Sequence, residues 1–389
     1  MLPHRVLDRL LHFRSAGAPV VSIYIAVPAD PSEVRAAQPA LHTLVKPVRE
    51  LAESDELPHA ARESLKADVA KILELVPRTM TLQGKALGVF ACSDAGLYEE
   101  VTLPRHVRNR VVVDATPYVR PLLAVLDESH RYCVVVVDRE HAWVYAYDAG
   151  ELEDFTKESG RVLRKPDYGG WHGLEEYRVR NKAEEWAHRH FRETAEAVEQ
   201  VAQRTGAEFV IVGGHEETIP TFLPFLSHQL QAKVAGTFVI DPHTLTEARV
   251  REQVQQVVDE YERREEQDLV TRALERVAMR GLGAAGLEWC LAAANAKAVQ
   301  LLLVHDDQEV PGRTCENCGW LGLEGEECPV CGSVTRKTPD VIDEMAASVV
   351  DAGGGVEHVY ADTPLSQHLT AALLRFPVAP PASAAPTPR

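Results

Sequence analysis

The chain alternates between runs of β-branched and aromatic residues and stretches whose apolar positions recur every three or four residues, the pattern of an α/β protein. VVSIYIAV (Val20–Val27) and KALGVFAC (Lys85–Cys92) read as strands, and Ala36–Val76 between them reads as two helices interrupted at Leu57–Pro58. Short strands are expected at Glu100–Pro104 and Arg110–Val113, and a domain boundary near Tyr118–Pro121. PLLAVLD, CVVVVD and AWVYAYDAG read as three further strands, followed by the polar stretch Glu151–Asp167. From about Leu174 to Thr205 the residues Val179, Ala183, Trp186, Ala187, Phe191, Ala195, Val198 and Val201 form an apolar helical stripe. The strand EFVIVGG, a short helix near Thr218–Leu230 and the strand GTFVI complete a domain with a largely parallel sheet.

A long helix is expected over Thr244–Arg280. After it come a helix at Leu287–Ala296, a strand at Val299–Val304, a helix at Val341–Val350, a strand at Val356–Tyr360 and a closing helix at Leu365–Leu374. The expected division is therefore 1–120, 121–270 and 271–377, three α/β domains, with a Pro-rich tail at 378–389 that should be disordered.

At 389 residues, 45% hydrophobic and 25% charged, the chain is long enough for several buried cores. The balance of 58 acidic against 41 basic side chains, −17 overall, excludes a protein that coats nucleic acid by bulk positive charge. The charge is uneven, since Glu252–Asp268 alone holds seven acids and two bases, so local contact with nucleic acid remains open. No apolar run reaches the length of a membrane span, and MLPHRVLDRLLHF lacks the apolar core of a signal peptide. A cytoplasmic protein without membrane contact is expected.

Cys92, Cys133 and Cys290 lie singly in apolar runs and read as core residues. Cys315, Cys318, Cys328 and Cys331 form C-x2-C-x9-C-x2-C, two close pairs each followed by glycine, which lets four thiolates converge on one ion. Structural Zn2+ is the expected occupant, since four sulfurs leave no open position for water. A rubredoxin-like iron site or a pair of redox disulfides would use the same residues.

KPDYGGWHG (Lys165–Gly173) places Gly169 and Gly170 together, which frees the backbone to approach another surface closely. Lys157, Arg161, Arg164 and Lys165 precede the pair, and Arg178, Lys182, Arg189 and Arg192 follow on one side of the expected helix. Such a basic ridge leading to a Gly-Gly tip suits insertion among phosphates, although Glu185 and Glu196 interrupt it as they would an ordinary solvated helix face. The second pair, Gly213–Gly214, lacks a phosphate-loop pattern and reads as a turn after its strand.

The order of these features resembles the archaeo-eukaryotic class I peptide chain release factor and Pelota superfamily, in a bacterial, Balon-like branch. ALGVFAC, CVVVVDREHAWVYAYDAG, the Gly-Gly tip with its basic helix, FVIVGG, GLEWCLAAANAKAVQLLLV, the four-cysteine insert and AALLRF carry the resemblance over nearly the whole chain. It implies three α/β domains: an N-terminal decoding-type domain, a middle domain bearing the Gly-Gly-Gln tip, and a C-terminal domain that meets a translational GTPase, here with a zinc-ribbon insert. Gly169 and Gly170 match the family's glycines, but Trp171 stands where the catalytic glutamine is expected. An indole offers one N–H donor and no acceptor, so it cannot position a hydrolytic water as the amide does. His172 is the one adjacent candidate for that role. The Asn-Ile-Lys-Ser decoding motif is missing, with only Lys46 in LHTLVKPVREL near its lysine.

The resemblance therefore implies a ribosome-associated factor that binds rRNA in the A site through Arg164, Lys165, Gly169, Gly170, Trp171, His172, Arg178, Lys182, Arg189 and Arg192. It would act in hibernation or stress protection without release chemistry and be monomeric when free. The alternatives are a rescue peptidyl-tRNA hydrolase using His172, and an RNA-binding scaffold.

Overall fold

The computed structural model describes residues 4–27, 39–74, 86–103, 107–127, 130–148, 150–155, 175–279, 281–305 and 308–381; the side chains of 4, 125–127, 175–183 and 243 lie outside that description. Contacts group the chain into two units, one formed by 1–128 with 266–389 and the other by 129–265.

The first segment runs α1 (His4–His12), β1 (Val20–Ala26), α2 (Lys46–Glu53), α3 (His59–Leu73), β2 (Ala86–Cys92), β3 (Leu97–Leu103), β4 (Arg110–Asp114) and α4 (Arg120–Asp127). The strands form an antiparallel sheet in the order β3-β2-β1-β4. Side chains of a strand point alternately to its two faces, and β1 sends Val21, Ile23 and Ile25 toward α2 and α3, where Val48, Leu65, Val69 and Ile72 are buried. Its other face carries Val20 and Tyr24 into a core shared with the C-terminal segment of the same unit.

PLLAVLD, expected as a strand, is helical α4. Pro121 sits in its first turn, where its missing N–H costs nothing, and the Asp343 carboxylate accepts the Val119 and Arg120 amides at 3.1 and 2.7 Å. The cap comes from a residue more than two hundred positions away, which is why the local pattern misleads.

The 129–265 unit contains β5 (Arg131–Val137), β6 (Ala142–Asp148), β7 (Glu151–Asp154), α5 (Glu175–Thr205), β8 (Phe209–Gly214), α6 (Thr218–Phe222), α7 (His228–Gln231), β9 (Val234–Val239) and the first part of α8 (Glu247–Ala278). Strand order is β7-β6-β5-β8-β9, with β5, β8 and β9 parallel and the rest antiparallel. Cys133, Val135 and Val137 of β5 pack with Phe191, Ala195 and Val198 of α5, whereas Tyr132, Val134 and Val136 pack with Val250, Val254 and Val258 of α8. Both faces of β5 are thus covered, which explains its uninterrupted valine run.

Two sequence expectations change here. Trp186 is 49% exposed and does not belong to the buried face of α5, which Ala187, His190, Phe191, Thr194 and Val198 form. Gly213 and Gly214 lie inside β8 rather than in a turn. A Cβ on Gly213 would come within 2.4 Å of the Phe238 ring, and one on Gly214 within 2.4 Å of the Val137 carbonyl, so close packing of β8 requires both glycines.

The C-terminal segment adds β10 (Gly283–Ala285), α9 (Leu287–Asn295), β11 (Val299–His305), β12 (Gly312–Thr314), β13 (Leu321–Gly322), β14 (Arg336–Thr338), α10 (Val341–Asp351), β15 (Gly355–Val359) and β16 (Thr370–Leu374). One sheet has the order β10-β16-β11-β15, and a small one the order β13-β12-β14. The closing helix expected over Leu365–Leu374 is instead a short 3-10 turn at Pro364–Gln367 followed by β16. Leu369, at φ 63°, breaks any helix there, and β16 is fully buried between β10 and β11, where a run of small and apolar residues serves a central strand. Residues 382–389 of the expected disordered tail lie outside the described residues. Among the described residues no helix is long and apolar enough to cross a membrane.

Candidate functional site

The four cysteines of the insert come together. Their sulfurs all lie within 4.8 Å of one another, with Cys315–Cys331 and Cys318–Cys328 at 3.5 Å. Two matching loops bring this about. In the first, the Gly319 amide donates to the Cys315 carbonyl at 2.8 Å with Gly319 at φ 74°. In the second, the Gly332 amide donates to the Cys328 carbonyl at 2.9 Å with Gly332 at φ 71°. The left-handed conformation is what glycine supplies after each C-x-x-C, and it turns both thiols of a pair to the same side. Asn295 of α9 fixes the strand that leaves the first loop, donating to the Leu321 carbonyl at 2.8 Å and accepting its amide at 2.9 Å.

This donor set fits a tetrahedral metal ion. Four sulfurs each about 2.3 Å from one ion stand about 3.8 Å apart, and the observed separations bracket that spacing. All four cysteines are free thiols rather than disulfides. Hydrogen bonds from the Ser333 and Asn317 side chains draw the Cys331 thiol down to about 5. At Cys318 the Trp320 amide draws the thiol down, but desolvation and the sulfurs of Cys328, Cys331 and Cys315 push it up to about 12. A divalent cation bound among the four would favour the thiolate form that ligation requires. Four protein ligands would fill the coordination shell, so the cluster could hold a metal without presenting it to a substrate.

A second polar centre, in the same unit, went unrecognised in the sequence. Arg120 Nη1 is 3.0 Å from Asp340 Oδ2, and both side chains are almost wholly buried. Arg120 also donates to the Gln308 carbonyl at 2.9 Å. Asp340 caps α10 by accepting the Ile342 amide at 3.1 Å, and Asp343 accepts the two amides at the start of α4. Burial holds the Asp343 carboxyl well above the usual carboxylate range, with Asp340 and Glu344 acting in the same direction. The available signal was VIDEM, where two acids interrupt an otherwise apolar helical face.

The basic-ridge residues are only partly accessible to description. Lys165, Arg164, Gly169, Gly170, Trp171 and His172 lie outside the described residues, and so do the side chains of Arg178 and Lys182 in the first turns of α5. Arg189 and Arg192 are exposed on α5, and Arg189 pairs with Glu193 at 3.3 Å. The exposed Trp186 flanks them, three residues before Arg189.

Residues 117–260 match the family described as bacterial archaeo-eukaryotic release factor family 10. Peptide chain release factor subunit 1 of Archaeoglobus fulgidus is 27% identical over 291 residues, covering 68% of this chain and 70% of that protein. The corresponding protein of Methanopyrus kandleri is 24% identical over 339 residues, covering 82% of this chain and 78% of its own length. Among solved structures, a ribosome-bound archaeal Pelota with ABCE1 is similar at TM-score 0.41 and 18% identity, with 97% of this chain and 95% of that chain covered. The middle segment thus matches an archaeo-eukaryotic release factor family, and the chain is similar to archaeal release factor subunit 1 along most of its length.

Proposed function

We propose that this protein is a ribosome-binding factor of release-factor-like architecture that occupies the A site and brings the 165–173 loop near the peptidyl-transferase centre, protecting idle ribosomes without release chemistry. The observation that carries this reading is the release-factor family match over 117–260, which takes in the Gly169–Gly170 tip and the cations on both sides of it. Trp171, in the place of the family's glutamine, lacks the acceptor needed to orient water, which supports a binding role over hydrolysis. Its ring suits stacking on an exposed base. Arg164, Lys165, Arg178, Lys182, Arg189 and Arg192 would contact rRNA phosphates, with His172 beside the tip.

In this reading 1–120, 121–270 and 271–377 act as the decoding-type, tip-bearing and partner-facing segments, and the last two meet a translational GTPase. The protein works in the cytoplasm and is monomeric when free. Cys315, Cys318, Cys328 and Cys331 would hold Zn2+, which supplies folding energy to the insert and no chemistry at a substrate.

Cosedimentation of the full chain with 70S ribosomes tests the reading. Binding should weaken as salt rises and should fall on charge reversal at Arg178, Lys182, Arg189 and Arg192. No enrichment with ribosomes from any growth phase would favour an RNA-binding scaffold instead. Added to ribosomes carrying peptidyl-tRNA, the protein should release no peptide above background; release that disappears in His172→Ala would identify a rescue hydrolase.

A further inference from the structure

Arg336, the first residue of β14, stands where three pieces of the 1–128 and 266–389 unit meet. Its guanidinium pairs with Asp114 at the end of β4 and with Glu344 of α10, the latter at 2.8 Å. Its Nε lies 3.3 Å from Glu316, between the first two cysteines, as an ion pair out of hydrogen-bond alignment. Two positions on, Thr338 donates to the other oxygen of Asp114 at 2.9 Å. Thr116 completes the junction by donating to Glu344 at 3.1 Å. Asp114 and Glu344 are mostly buried, so each depends on Arg336 as its counter-charge.

β4 needs such a hold. It is an edge strand paired on one side only, with β1, and all five of its residues are half-buried, Val111, Val112 and Val113 packing at the margins of the cores. β14 has no core of its own either. It follows the second cysteine loop, pairs among the described residues only with β12, and β12 runs directly into Cys315. The chain between the second loop and β14 is held by Thr335, whose amide donates to the Glu326 carbonyl at 2.9 Å and whose hydroxyl donates to the Gly325 carbonyl. Asp340 anchors the far end of β14, but its Arg336 end is placed by the second glycine-closed loop, and a cation would hold the four converging sulfurs that close it.

We propose that the four-cysteine insert is a metal-dependent clamp on the N-terminal sheet: with metal bound, β14 presents Arg336 and Thr338 to Asp114, and loss of the metal releases β4. A second attachment is independent of the insert, because Arg120 and the amides of residues 119 and 120 are held by Asp340 and Asp343 of α10. Metal loss should therefore loosen β4, residues 110–114, while Tyr118, bonded to Ser22 and Asp340, and α4 stay docked. The proposal rests on reading the cysteine cluster as a metal site, and metal content is measured separately for that reason.

The test follows amide hydrogen exchange by mass spectrometry in the full chain, before and after a chelator strips the metal, with elemental analysis recording the loss. Exchange over β4 should accelerate at least about tenfold on stripping, return on addition of Zn2+ alone, and remain unchanged in α4 and β5. Arg336→Met, with its full metal content, should reproduce the release of β4 while the cysteine loops keep their protection. If that variant fails to fold, Thr338→Val should raise β4 exchange at least about threefold. A metal-bearing chain whose β4 protection survives stripping overturns the clamp alone, as does unchanged β4 exchange in the variants. A chain that takes up no Zn2+ and still protects β4 overturns both the clamp and the metal reading.

Discussion

Arg120 and Asp340 form an ion pair at 3.0 Å with only 3% and 2% of their side chains exposed, joining the start of α4 to the start of α10. Such a pair adds little net stability when compared with an apolar replacement of both partners, but removing one side strands the other charge. Arg120→Met should therefore cost about 3–5 kcal/mol, measured by denaturant unfolding. A loss below about 1 kcal/mol would mean that Asp340 finds another counter-charge.

Two buried groups give opposite responses to pH. The Asp343 carboxyl is raised, chiefly by burial, so the folded chain holds a proton that the unfolded chain releases above about 3.9. Its contribution is full below that value and is lost as pH rises through the folded value. In Asp343→Asn the fall in stability from pH 5 to pH 8 should shrink, because the amide oxygen still accepts both α4 amides and never ionises. An unchanged slope would remove Asp343 from the account.

His358 works in the other direction. Burial, with Arg120 adding to it, lowers its imidazole to about 3. Below about 6.5 the unfolded chain takes up a proton that the folded chain refuses, so stability is lost as pH falls toward 3. His358→Gln should flatten the acid limb of the stability profile between pH 6.5 and pH 4. The measurement is the denaturant midpoint across that range, and a limb as steep as in the unaltered chain would assign it elsewhere.

Gly213→Ala should destabilise the 129–265 unit by about 1–3 kcal/mol, since the added methyl would meet the Phe238 ring. Phe238→Leu in the same chain should recover part of the loss. Failure of the double variant to recover would place the strain in the backbone rather than against the ring.

On α5, Trp186→Ala should change stability by less than about 0.5 kcal/mol, whereas Phe191→Ala should cost about 3–5 kcal/mol. Trp186 is half exposed and Phe191 is buried against Phe222 and Phe225. Comparable losses at the two positions would restore Trp186 to the buried stripe.

Where neighbouring residues decide the outcome, the amino-acid pattern was informative. The valine run of β5, the helical spacing of Phe191, Ala195 and Val198, and the paired cysteines with their following glycines each carry their own explanation within a few positions. It misled where a distant residue decides. α4 owes its first turn to Asp343, and β16 is a strand because β10 and β11 flank it on either side. The polar junction around Arg120 and Arg336 was invisible for the same reason, since an arginine in a sequence reads as solvated until its buried acids are located. Gly213 and Gly214 resembled a turn because the groups that exclude a side chain there, the Phe238 ring at Gly213 and the Val137 carbonyl at Gly214, lie far along the chain.

Asp114 and the arginine that holds it are 222 residues apart in the chain. At about 5–20 residues per second, roughly ten to forty-five seconds of synthesis separate their emergence. Throughout that interval the N-terminal sheet has been made, but Asp114 at the end of its edge strand lacks its arginine and the outer side of that strand is uncovered. The nascent chain must keep that edge from pairing with other chains until its own last third has been translated.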